Sequence, residues 1–143
     1  MVEEVRITDC SIISDERGAI FHMIRSDDLV HKQLGGIYFS KGYQGFLKGW
    51  HIRRRAILDF AVSGTMIKLV PYDDKAASPT KGEIMDLFIG EENYKLVTIP
   101  SKTRNGFKVV GTKVAIMANC ATEPYDPKET GGANPLKVKA IMT

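Results

Sequence analysis

His51 closes the run Phe46-Leu47-Lys48-Gly49-Trp50-His51, and three arginines, Arg53, Arg54 and Arg55, follow almost at once. A histidine takes up and releases a proton near neutral pH. Guanidinium groups beside it suit an anionic ligand, most simply a phosphate. The combination is that of a general base next to a phosphate-binding patch. Taken alone, the segment fits at least as well a buried structural histidine beside a solvated basic edge, so the rest of the chain has to decide.

The elements that must position His51 read as β-strands. Turn signals recur about every ten residues: Lys41-Gly42, Ser63-Gly64, Asp73-Asp74, Gly90-Glu91-Glu92-Asn93, Asn105-Gly106 and Gly111-Thr112. Between them the β-branched and apolar runs predict strands near 5–13, 18–24, 36–40, 46–53, 56–62, 65–72, 83–89, 95–99, 106–110 and 113–119. Pro71 marks a strand end or an edge. One short helix is expected over 26–34, with Ser26 as its cap, Asp27 and Asp28 at its positive end and Gly35-Gly36 as its stop. The pattern fails after Pro127, where 129–135 reads as a loop and 136–143 as a tail or a segment docking on a partner. The expectation is one all-β domain over 1–143, a sandwich or barrel with its core at about 5–127 and a tail over 128–143.

The bulk numbers narrow the classes. At 143 residues with 43% hydrophobic and 26% charged residues, the chain can bury a core and is not disordered. A formal charge of +3 does not by itself call for nucleic acid. No apolar run approaches the roughly 20 residues of a membrane span, and the acidic start lacks the apolar stretch of a signal peptide. Cys10 and Cys120 show no metal-ligand spacing and read as free thiols of a cytoplasmic protein. His22, His31 and His51 form no His-x-His pair, so a metal is not expected. His22 reads as a partly exposed strand residue.

Several segments, in order, resemble the dTDP-4-dehydrorhamnose 3,5-epimerase family. Asp15-Glu16-Arg17-Gly18 looks like an early Asp-x-Arg-Gly motif, and Leu47-Lys48-Gly49-Trp50-His51 looks like a Leu-Arg-Gly-Leu-His segment that holds the catalytic base. Ser78-Pro79-Thr80, Ile99-Pro100, Asn105-Gly106-Phe107 in place of His-Gly-Phe, and Tyr125-Asp126-Pro127 complete the likeness over roughly 10–130. The resemblance implies a cupin-like double-stranded β-helix or jelly-roll barrel, a homodimer, and a 4-keto-hexose nucleotide as substrate. A base would remove the proton at C3 or C5, next to the ketone, and an acid would return one to the opposite face, without cofactor or metal.

By the same resemblance His51 is the base and Lys48 replaces a phosphate-binding arginine, with Arg53, Arg54 and Arg55 as possible compensation. Arg17 would reach the diphosphate across a dimer interface. Trp50 at a rim could stack on a base or sugar, and Asn105 would contact substrate. In a flat strand Lys48 and His51 point to opposite faces, a conflict that a bulge at Gly49 would remove. The departures concern the acid. The family tyrosine six positions before the Tyr-x-Pro tyrosine is here Asn119, whose amide can hydrogen-bond but not protonate. Tyr125, Tyr43 and Tyr38 are possible substitutes. The family lysine is here Ile57, and Lys68 on the next strand is the expected replacement cation. The family aspartate that pairs with the base lies in a C-terminal extension that this chain ends too early to supply in the same way; Asp59 and Asp86 are the alternatives. The expected function is epimerisation at C3, C5 or both. The rival readings are a non-catalytic nucleotide-sugar or carbohydrate binder on the same barrel, and a 3,4-ketoisomerase.

Overall fold

A computed structural model describes residues 2–28 and 33–132. Twelve strands appear in chain order: β1 Arg6–Asp9, β2 Ile12–Asp15, β3 Gly18–Phe21, β4 Gly36–Gly42, β5 Leu47–Arg53, β6 Leu58–Gly64, β7 Ile67–Tyr72, β8 Leu87–Ile89, β9 Lys95–Ile99, β10 Arg104–Val109, β11 Ala115–Ala121 and β12 Thr130–Gly132. β1-β9-β6-β11-β4 form one antiparallel sheet, β12-β5-β10-β7-β8 a second, and β2-β3 a hairpin of their own. The two five-stranded sheets make the jelly-roll-like, all-β fold that the sequence predicts.

Alternation along the strands builds the core. Leu58, Phe60 and Val62 of β6, Ile67 and Leu69 of β7, Val97 and Ile99 of β9, and Phe107 and Val109 of β10 all point into one buried cluster. The intervening residues face outward. On the first sheet Ala61 and Leu96 are covered by Cys10, Met23, Ile24 and Tyr94, so the segment around the hairpin lies over that outer face. Both cysteines are free thiols.

Some sequence expectations are corrected. The predicted strand 5–13 divides into β1 and β2, because β1 pairs with β9 while β2 pairs only with β3. The predicted helix over 26–34 falls partly on 29–32, outside the described residues. Its described start is a turn, in which the Asp28 amide donates to the Arg25 carbonyl, and no helix occurs among the described residues. Residues 130–132, expected in a loop, form β12 against β5. The proposed tail over 136–143 lies outside the described residues. Pro71 sits in β7 beyond the reach of β8, which pairs only with Ile67–Leu69, so its missing N–H leaves no ladder bond unmade.

Two local devices shape the cavity end of this fold. The first is a bulge. Asn105 pairs with His51 and Phe107 with Lys48, so β5 spends one residue more than β10 between these two pairs. At this point the backbones nearly touch: a Cβ on Gly49 (φ +153°) would lie 2.8 Å from the Gly106 Cα. The second is the Ser-Pro-Thr turn. The fully buried Asp73 carboxylate accepts hydrogen bonds from Ser78 Oγ at 2.5 Å and Thr80 Oγ1 at 2.6 Å, with the Lys75 ammonium beside it. Burial alone would raise its pKa, but these donors and the Lys75 charge bring it down to about 2.

Gly49→Ala therefore sets a methyl against backbone that has no freedom to yield, and it is expected to lower stability by about 1–3 kcal/mol, read as a drop in Tm. The Asp73 contribution has a defined pH window. With its folded pKa depressed, its stabilisation is present above the unfolded value near 4 and is lost as pH falls toward 2. Asp73→Asn is expected to cost on the order of 1–2 kcal/mol at pH 7 and to flatten the acid side of the stability profile, measured by urea unfolding at pH 7 and pH 3.

Candidate functional site

Between the two sheets a cavity of about 220 Å³ opens to solvent. Its lining follows the strand parity. β4 contributes Tyr38 and Ser40, β5 Lys48, His51 and Arg53, β6 Leu58 and Phe60, β10 Asn105 and Phe107, and β11 Met117 and Asn119; Tyr125 and Thr130 close the rim. The bulge on β5 brings Lys48 and His51 to the same wall. Lys48, His51, Arg53, Asn105, Asn119 and Tyr125, all singled out in the sequence, thus meet in one place.

No carboxylate lines the cavity among the described residues, so its charge is positive. His51 is solvent-exposed at the cavity, and the protein around it desolvates the imidazole in part. That desolvation, and then the Lys48 charge, push its pKa below 6.5 and favour the neutral, basic form. Lys48 Nζ donates to Ser40 Oγ at 3.0 Å. Asn105, 3% exposed, has its Nδ2 buried without a partner, and the Asn119 Oδ1 is likewise unpartnered. Unpaired buried polar atoms are costly in a folded protein; these two belong to cavity-lining residues, while Trp50 Nε1 and Arg104 Nη1, also without a partner, lie outside the cavity.

Arg53 does more for architecture than the basic run suggests. Its Nε pairs with Glu129 Oε1 in a buried ion pair, and its Nη2 donates to the carbonyls of Glu123 (3.2 Å) and Pro124 (3.3 Å). Glu129 also accepts the Arg55 amide at 2.9 Å. Burial opposes ionisation of Glu129, yet the Arg55 amide and the Arg53 guanidinium together hold its pKa below the usual value. The pair ties loop 122–129, with Tyr125 on it, to β5.

Four expected site residues lie elsewhere. Trp50 is 1% exposed and faces away from the cavity, packed with Val70 and with its ring centroid 5.7 Å from that of Tyr72; it is core and not a stacking platform. Lys68 alternates with the inward Ile67 and Leu69, so it points to the outer face of the second sheet, where it pairs with Asp86 at 3.5 Å. Arg55 is exposed and pairs with Asp126 at 3.2 Å outside the cavity. Arg17 stands on the β2-β3 hairpin, bonded to Asp15 at 2.7 Å, and does not line the cavity of its own chain. Nor does either candidate acid serve His51: Asp59 alternates with Leu58 and Phe60 and accepts from Thr98 Oγ1 at 2.6 Å on the far face, and Asp86 is with Lys68. Of the lining residues that the sequence did not single out, Ser40 and Met117 stand two positions from Tyr38 and Asn119 on the same strand face, and strand parity is the signal that finds them; Leu58, Phe60 and Thr130 carry no such signal.

Comparison with known proteins gives the family. The family described as dTDP-4-dehydrorhamnose 3,5-epimerase matches residues 1–140. A probable low-salt glycan biosynthesis epimerase, Agl13, of Haloferax volcanii is 32% identical over 127 residues, covering 87% of this chain and 81% of that protein. The spore coat polysaccharide biosynthesis protein SpsL of Bacillus subtilis is 29% identical over 130 residues, covering 90% and 85%. The crystal structure of a dTDP sugar isomerase from Desulfovibrio desulfuricans G20 superposes with a TM-score of 0.90 at 33% identity, covering 93% of this chain and 85% of that one. With a family match along nearly its whole length and the motif histidine lining the cavity, the chain belongs to the dTDP-4-dehydrorhamnose 3,5-epimerase family, a family of nucleotide-sugar isomerases.

Proposed function

We propose that this protein epimerises C3, C5 or both of a 4-keto-hexose nucleotide, with His51 as the base. The observation that carries the reading is the placement of His51: its imidazole lines a cavity with Lys48 and Arg53 and, among the described residues, no carboxylate, and desolvation and the Lys48 charge lower its pKa. His51 takes a proton from the carbon next to the ketone, and the electron pair moves to the ketone oxygen as an enolate. The Asn105 Nδ2 donor, on the residue paired across the ladder from His51, is available to that oxygen or to a sugar hydroxyl. Lys48 supplies a point charge for the diphosphate. Asn119 offers an acceptor to a sugar hydroxyl. With no tyrosine at position 119, inversion at a single centre is favoured over the two-centre reaction.

The reading includes a homodimer in the cytoplasm that serves glycan or polysaccharide synthesis, as the relatives' names suggest. The hairpin that carries Arg17 exposes Ile12, Ile13 and Ile20, and β4 and β11 expose Ile37, Phe39 and Ile116. Apolar surface of this kind is what a second copy would cover. Free cysteines fit a reducing compartment.

Incubation with a dTDP-4-keto-6-deoxyhexose in deuterated water, followed by NMR, tests the chemistry. Deuterium is expected at C3 or C5, and His51→Asn is expected to reduce its incorporation at least 100-fold. Binding without exchange in the wild-type protein would establish the rival binding-protein reading instead. The pH dependence follows from the sign of the His51 shift. The acid limb of kcat/KM is expected to titrate below pH 6.5, and Lys48→Met, by removing the neighbouring positive charge, is expected to move that limb upward.

A further inference from the structure

Epimerisation inverts a carbon, so the returning proton must arrive from the face opposite the base. The cavity has two walls. His51, with Lys48, Arg53 and Asn105, stands on the wall made by β5 and β10, while β4, β6 and β11 build the facing wall from Tyr38, Ser40, Leu58, Phe60, Met117 and Asn119. Most of these side chains carry no acidic hydrogen. The Asn119 amide does not donate a proton near neutral pH. Ser40 is an alcohol, far less acidic than a phenol, and its oxygen already accepts from Lys48. Among the described residues, Tyr38 alone on that wall has a hydrogen of suitable acidity.

Its placement suits the task. Tyr38 is the direct register partner of Asn119, so the two side chains leave adjacent strands side by side, with Cβ atoms about 5 Å apart. The ring folds back along β4 over Gly36, where a Cβ would come within 2.7 Å of the phenol oxygen and 2.9 Å of the ring; glycine provides that bed. The phenol oxygen accepts the backbone N–H of Tyr125 at 3.1 Å. That contact leaves the phenol's own hydrogen free for the cavity, and it would stabilise the phenolate left after donation. Tyr38 is itself 40% exposed; the second cavity phenol, Tyr125, is 61% exposed on the rim loop and belongs to neither wall, and its main chain donates to Tyr38.

We propose that Tyr38 is the general acid of this chain, its phenol standing next to the position that Asn119 leaves without one. The proposal rests on the epimerase reading given above. In the step, the enolate's electron pair returns from oxygen to form the C–H bond on the face away from His51. The O–H bond of Tyr38 breaks, and the phenolate remains. His51 then loses its proton to water and Tyr38 regains one from water, restoring both groups.

The test separates the two half-reactions with Tyr38→Phe in deuterated water, using a dTDP-4-keto-6-deoxyhexose. His51 can still remove and return a proton on its own face, so deuterium exchange with retained configuration is expected within about threefold of wild type, whereas inverted product is expected to fall about 100-fold or more. Retained exchange also demonstrates that the variant is folded. In Tyr125→Phe, which removes the rim phenol but keeps the backbone donor to Tyr38, the ratio of inverted product to exchange is expected to stay near that of wild type. Inverted product at the wild-type rate in Tyr38→Phe would overturn the assignment, as would its loss in Tyr125→Phe alone, or the loss of exchange together with product in Tyr38→Phe. Absence of both exchange and product in the wild-type protein would instead overturn the epimerase reading, and the role of Tyr38 with it.

Discussion

The site depends on the close approach of β5 and β10. Gly49 and Gly106 let two backbones meet where side chains would hold them apart, and the extra residue on β5 resets strand parity between Lys48 and His51. Without that reset the motif lysine and the motif histidine would lie on opposite faces of the sheet. The same shift sends Trp50 outward, so one backbone irregularity decides both which groups reach the cavity and which large ring fills the space behind it.

A second constraint ties the rim to the base. The buried Arg53 guanidinium has Glu129 on one side and the carbonyls of Glu123 and Pro124 on the other, which satisfies a charge that would be very costly to bury alone. Loop 122–129 is thereby held at the mouth, its Tyr125 amide reaches Tyr38, and β12 is delivered to the free edge of β5. The network spans the distance from the base strand to the facing wall.

Much of this was legible in the sequence. Turn spacing and alternation located nearly every strand of the two sheets, and the ordered motifs picked out His51, Lys48, Asn105 and Asn119, which meet in one cavity. What stayed illegible was tertiary. The role of Arg53 depends on Glu129, 76 residues away. Lys68 reads as a cavity cation until the inward Ile67 and Leu69 fix the parity of β7. β12 is two glycines and a threonine, with no propensity of its own, and becomes a strand because its neighbour anchors it. Trp50 could have been rim or core, and only the bulge decides.

The anchoring of β5 by Glu129 also imposes an order in time. As the chain is synthesised, the strand that bears His51 emerges long before residue 129, and until then the Arg53 charge has no partner to be buried with. Both walls need strands that are equally late in the chain, β11 between β6 and β4 and β10 between β5 and β7, and β5 gains its last neighbour, and the cavity its rim, from the 122–132 segment that follows them. The strand that carries the base thus depends, for both of its neighbours, on segments that lie far along the chain from it.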